Sequence, residues 1–138
     1  MKKSSKLKLC NRALLIAAPL MLASNIQLEA TGSRGTTAVW LHLLVGTVFF
    51  ALAGWHLYLH FGRQNWLKRF RTLKSRVTKI LTILALLTLV SGVAAAAHWA
   101  DTFTHSGIGA LHGKIGFLML ALAIGHTVKR FRFFKQRF

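Results

Sequence analysis

Acidic side chains are nearly missing from this 138-residue sequence, which has two of them against nineteen lysines and arginines and a formal net charge of +17. Cysteine is nearly missing too. The single one, Cys10, cannot close an intramolecular disulfide, belongs to no C-x-x-C pair and is not followed by the histidine of a c-type haem attachment motif. Iron–sulfur ligation, which takes several thiolates, is excluded with it. No nucleotide fingerprint and no flavin domain are present, so any dehydrogenase or reductase activity must reside in a partner protein. The scarcity of acids bears on metals as well. A zinc or iron pathway mixes histidine with Asp or Glu, and the only two acids, Glu29 and Asp101, lie outside the two histidine-bearing helices described below.

What the sequence does have is apolar. Hydrophobic residues make up 54% of it, more than a single small domain could hide from water. The charges sit in short blocks and the apolar residues in long runs between them, which is the pattern of an integral membrane protein. The runs are Ala13 to Leu28, Val39 to Phe61, Ile80 to Trp99 and Ile108 to Val128. About 20 residues of helix cross a bilayer. The expected fold is therefore all-α: one transmembrane domain over residues 1–138, a four-helix up-down bundle with helices at about 9–29, 38–61, 77–99 and 108–128. The first run is weakened by Asn25 and Gln27. Its basic start and Leu28-Glu29-Ala30 also read as a signal peptide, a reading that the repeat described below disfavours.

Seventeen of the nineteen basic residues fall on one side of these helices: before the first, between the second and third, and after the fourth. Only Arg34 and Lys114 fall on the other. The positive-inside rule makes the rich side, with both termini, cytoplasmic. Nucleic acid is not an expected partner, because the basic blocks interrupt hydrophobic spans, share one side and contain no recognition module. Anionic lipid head groups are the natural neighbours of such blocks.

The sequence repeats internally. Setting His42 on His112 brings Gly46 onto Gly116, Ala51 onto Ala121, Leu52 onto Leu122, Ala53 onto Ala123 and His56 onto His126. Upstream, Leu22-Ala23-Ser24-Asn25-Ile26 echoes Leu89-Val90-Ser91-Gly92-Val93. Two copies of a helical hairpin, parallel and related by an axis along the membrane normal, account for this. Cleaving the first segment would leave one hairpin halved.

Each copy carries the frame H-x13-H. Fourteen residues of helix rise about 21 Å in nearly four whole turns. His42 and His56 therefore share a face, one near each membrane surface, and so do His112 and His126. Facing each other across a bundle, His42 meets His112 at the outer level and His56 meets His126 at the inner level. Two stacked pairs of imidazoles are what two haems with two axial ligands each require. Gly46 and Gly116, one turn after each outer histidine, would let a helix approach a flat porphyrin closely. Two rivals remain: a membrane carrier or sensor of zinc or iron using the same histidines, and a structural subunit whose histidines only form hydrogen bonds.

The two H-x13-H helices, each with its glycine after the outer histidine, resemble the di-haem four-helix cytochrome b superfamily. That group includes respiratory cytochrome b and the membrane cytochrome subunits of formate dehydrogenases and hydrogenases. The compact length, the Ser-Gly near the end of the third helix and the HLYLH run are similar to small bacterial di-haem cytochromes. The resemblance implies two b-type haems ligated by His42, His112, His56 and His126, with Gly46 and Gly116 beside them, in the cytoplasmic (inner) membrane of a bacterium. It implies electron transfer between quinone or quinol and a redox partner: a dehydrogenase, a reductase or a flavinylated electron-transfer protein. A homodimer is a further assembly the sequence allows. Asn25, where a glycine like Gly92 would be expected, departs from the pattern.

Three histidines lie outside the frame. His60, one turn beyond His56, could replace it as ligand, but His126 has no such neighbour. His98 and His105 flank the outer loop with Asp101 and either line a quinone or proton path or are ordinary interfacial polar residues. Trp40, Trp55, Trp66 and Trp99 suit an aromatic belt. Arg34 and Lys114 outside, and Arg63 or Arg12 inside, are the cations available to haem propionates.

Overall fold

A computed structural model describes residues 3–32, 35–62 and 66–135. All secondary structure among them is helical: α1 (Lys3–Thr31), α2 (Thr36–Phe61), α3 (Trp66–Arg71), α4 (Arg76–Thr102) and α5 (Gly107–Lys135). Four of these are long and apolar enough to cross a membrane, over Ser4–Thr31, Thr36–Phe61, Arg76–Thr102 and Gly107–Lys129. The protein is a multi-pass membrane protein by this measure.

The helices outrun their apolar runs, because Lys, Arg and Thr beyond the hydrocarbon continue a helix at little cost. α5 reaches Lys135 and α4 begins at Arg76. The basic connection also holds α3, a short helix not expected from hydropathy. Terminal groups are satisfied locally. Ser75 caps α4 by accepting from the Thr78 amide at 3.3 Å, and the Gly62 amide closes α2 on the Tyr58 carbonyl at 2.8 Å, with φ of 72°. Phe103 takes the left-handed conformation to end α4, its amide bonding the Trp99 carbonyl at 2.8 Å.

α1 packs along α2, and α4 along α5; the two hairpins meet chiefly through α1 and α5. Their shared core is Ala17 and Met21 from α1, Phe49 from α2, and Met119 and Leu120 from α5, flanked by Leu81, Leu84 and Ala85 of α4. Large aliphatic side chains point the other way: Ile16, Leu44, Val90 and Val128 are each about two-thirds exposed. In water such a surface would aggregate; in lipid it is the solvent-facing side. Lipid tails are as apolar as leucine, so helix association there depends on close packing and on polar contacts between helices. Those polar contacts gather around the histidines.

Candidate functional site

At one level of the bundle the rings of His42 on α2 and His112 on α5 meet edge to face, centroids 6.1 Å apart and planes at 78°. His42 is buried and His112 half-buried. Each is held by the other helix of its own hairpin. The Nδ1 of His42 lies 3.1 Å from Ser24 Oγ. The Nδ1 of His112 lies 3.0 Å from the Thr88 carbonyl oxygen and 3.3 Å from Ser91 Oγ. Both Nδ1 atoms are thus engaged toward α1 and α4.

The bond to Thr88 fixes a tautomer. A carbonyl oxygen only accepts, so His112 carries its proton on Nδ1 and presents a lone pair on Nε2. Gly92 makes room for the ring: a Cβ there would meet His112 Cε1 at 2.8 Å, closer than atoms approach. In α1 the corresponding position is filled by Asn25, itself buried beside Ser24.

Gly46 and Gly116 do not face each other. A Cβ on Gly46 would touch Met21 at 3.7 Å, and one on Gly116 would touch Thr88 at 3.7 Å, both ordinary contacts within a hairpin. These contacts lie where α2 packs on α1 and where α5 packs on α4.

At the other level are His56, His60 and His126. The rings of His56 and His60 lie 4.6 Å apart, and His56 is within electrostatic reach of both His60 and His126. His56 Nδ1 is buried with no hydrogen-bond partner, one of two such side-chain atoms among the described residues. His60 is exposed and His56 is not. Between the levels lies a dry layer. Phe49 and Met119, each midway between the two histidines of its helix, are 6% and 3% exposed.

Among the described residues no three His, Cys, Asp or Glu side chains gather in a way that could hold a metal ion. A zinc site takes three or four protein ligands. Iron in a porphyrin takes its equatorial nitrogens from the macrocycle and needs only two from protein. His42 and His112 bring two imidazoles together at one level of the bundle.

Sequence reasoning assigned no role to Ser24, Ser91 or Thr88. The signal was the Ser24/Ser91 echo, which lines up with the histidine echo and becomes meaningful only once α1 and α4 are seen to turn those serines toward His42 and His112. The remaining polar residues stay apart. His98 Nδ1 pairs with Thr102 Oγ1 at 3.2 Å in the last turn of α4, where Asp101 is exposed, and His105 is exposed in the connection to α5. Trp40 and Trp99 meet edge to face at 6.0 Å, tying the start of α2 to the end of α4. Lys114 and Arg12 are exposed at opposite ends of the helices, while Arg34 and Arg63 lie outside the described residues. Comparison with known family models, with curated proteins and with solved structures finds no match.

Proposed function

We propose that this protein is a membrane electron-transfer cytochrome whose four long helices hold two b-type haems. His42 and His112 are the axial ligands near the outer surface, and His56 and His126 those near the cytoplasmic surface. Once bound, such haems supply one-electron transfer, here between quinone or quinol in the membrane and a redox partner protein. The observation that supports this reading is the His42–His112 pair: two imidazoles from different hairpins meet with ring centroids 6.1 Å apart, each with Nδ1 engaged by the neighbouring helix.

The chain's own part is to bind, orient and insulate. His42 and His112 are anchored by α1 and α4, and Gly92 clears the space the His112 ring occupies. Phe49 and Met119 keep the layer between the two levels apolar. Two histidines would be available to hold each haem, and the chemistry such a group would supply is one-electron transfer.

In this reading the chain is two copies of a helical hairpin with both termini in the cytoplasm, seated in a bacterial inner membrane and similar to small di-haem cytochromes b. Equivalent contacts recur at equivalent positions: Ser24 with His42 and Ser91 with His112, Met21 with Gly46 and Thr88 with Gly116. Single substitutions test the assignment. His42→Ala or His112→Ala should lose one haem, and His56→Ala or His126→Ala the other, each leaving one haem spectrum intact. Retention of both haems and both potentials after loss of His42 would refute the pairing.

A further inference from the structure

Resting on the haem assignment, we infer that Ser24 is the positioning residue of the outer centre, and that its counterpart in the repeat, Ser91, is not. The two serines occupy matching places in the two hairpins, so the sequence alone gives them equal roles. The contacts do not.

Ser24 is 5% exposed, and its hydroxyl has one proton. That proton goes to the Met21 carbonyl at 2.9 Å. With that proton on the Met21 carbonyl, Ser24 Oγ is assigned as acceptor toward His42 Nδ1, 3.1 Å away. In that arrangement His42 carries its proton on Nδ1, and Nε2 is the nitrogen that would bind a metal. Among the described residues Ser24 is the hydrogen-bond partner of that Nδ1, so Ser24 sets both the tautomer and the tilt of the ring.

His112 has a better arrangement. Its Nδ1 donates to the Thr88 carbonyl at 3.0 Å, which belongs to the backbone and survives any side-chain change. Ser91 stands further off, at 3.3 Å, with its hydroxyl proton committed to the Leu87 carbonyl at 2.7 Å. Deleting the Ser91 hydroxyl leaves His112 held.

An acceptor on the far nitrogen raises the basicity of a ligating imidazole, and losing such a partner typically changes metal affinity about 10–100-fold. A more basic ligand favours ferric over ferrous iron. Removing the Ser24 acceptor therefore raises the potential of the outer haem. A tenfold change in the balance of the two oxidation states is 59 mV for a one-electron couple.

The test is a spectroelectrochemical titration of the purified full-length protein as wild type, Ser24→Ala, Ser24→Thr and Ser91→Ala. The His42→Ala variant identifies which wave belongs to the outer haem. The expected result is an upward shift of the outer wave alone in Ser24→Ala, by an amount on the order of tenfold in the redox balance. Ser24→Thr, which keeps the acceptor, should stay near wild type, and Ser91→Ala should move less than Ser24→Ala. Loss of only the outer haem in Ser24→Ala, with Ser24→Thr and Ser91→Ala retaining it, also supports the assignment. Equal shifts in Ser24→Ala and Ser91→Ala, no shift in Ser24→Ala, or a shift confined to the inner wave overturns it. A wild-type protein without haem is a separate failure, that of the haem assignment itself.

Discussion

Gly92 is the position where one methyl group does the most damage. Its Cβ would lie 2.8 Å from His112 Cε1 and 3.1 Å from Nδ1. Carbon atoms rest at about 3.5–4.0 Å, so the ring in Gly92→Ala must retreat by roughly 1 Å. It has little freedom to do so, because Nδ1 is tied to the Thr88 carbonyl at 3.0 Å. A retreat of that size stretches the bond beyond useful length, about 1 kcal/mol, or forces the side chain off its rotamer, about 0.5–1.5 kcal/mol. Metal–ligand distances tolerate only about 0.2 Å. Displacement of the ring should therefore weaken the outer haem by at least tenfold. The same change at Gly116 puts a Cβ 3.7 Å from Thr88, which moves nothing. The assay is haem content and the low-spin reduced spectrum of Gly92→Ala and Gly116→Ala after identical purification. Gly92→Ala should keep the inner haem and lose most of the outer one, while Gly116→Ala keeps more of both. A Gly92→Ala protein with full outer haem occupancy and an unchanged outer potential would refute this geometry.

Other expectations follow from the same contacts. His60→Ala should retain the inner haem and His56→Ala should lose it, read by haem stoichiometry, because His56 is the more buried of the two and has its counterpart in His126. The opposite result would make His60 the ligand. Cys10 is fully buried against the Leu52 carbonyl, so maleimide should label it only after denaturation. Rapid labelling of native protein would place α1 elsewhere. In a Cys10→Ala background, a cysteine at Thr104 should react from the outer side and one at Lys74 from the cytoplasmic side. Reversed accessibility would invert the topology.

Much of the architecture was legible because the bilayer imposes it. Runs of about 20 apolar residues can only be helices there, and the four runs became α1, α2, α4 and α5. The approach of His42 to His112 was legible too, because equivalent positions of the repeat fall at one level of the bundle. What sequence could not supply was rotation. Ser24 looks like any small residue of a membrane helix until α1 is placed against α2, and the proton bookkeeping that separates it from Ser91 depends on tenths of an ångström. The role of Thr88 was out of reach for another reason: its carbonyl, not its side chain, is the partner. Gly46 and Gly116 show the converse. Their register with the histidines is real, yet their Cβ vectors point within each hairpin. Helix ends were misjudged where hydropathy, not helix propensity, set the boundary, as at Gly107–Lys135.

The most direct test of the central claim is the reduced-minus-oxidised absorbance spectrum of the purified protein, made with ample haem supply, together with its haem-to-protein ratio. Two histidine pairs predict sharp low-spin b-type bands and about two haems per chain. A flat spectrum with no extractable haem would contradict the electron-transfer account and leave the same four histidines to be explained as transient ligands of a metal ion.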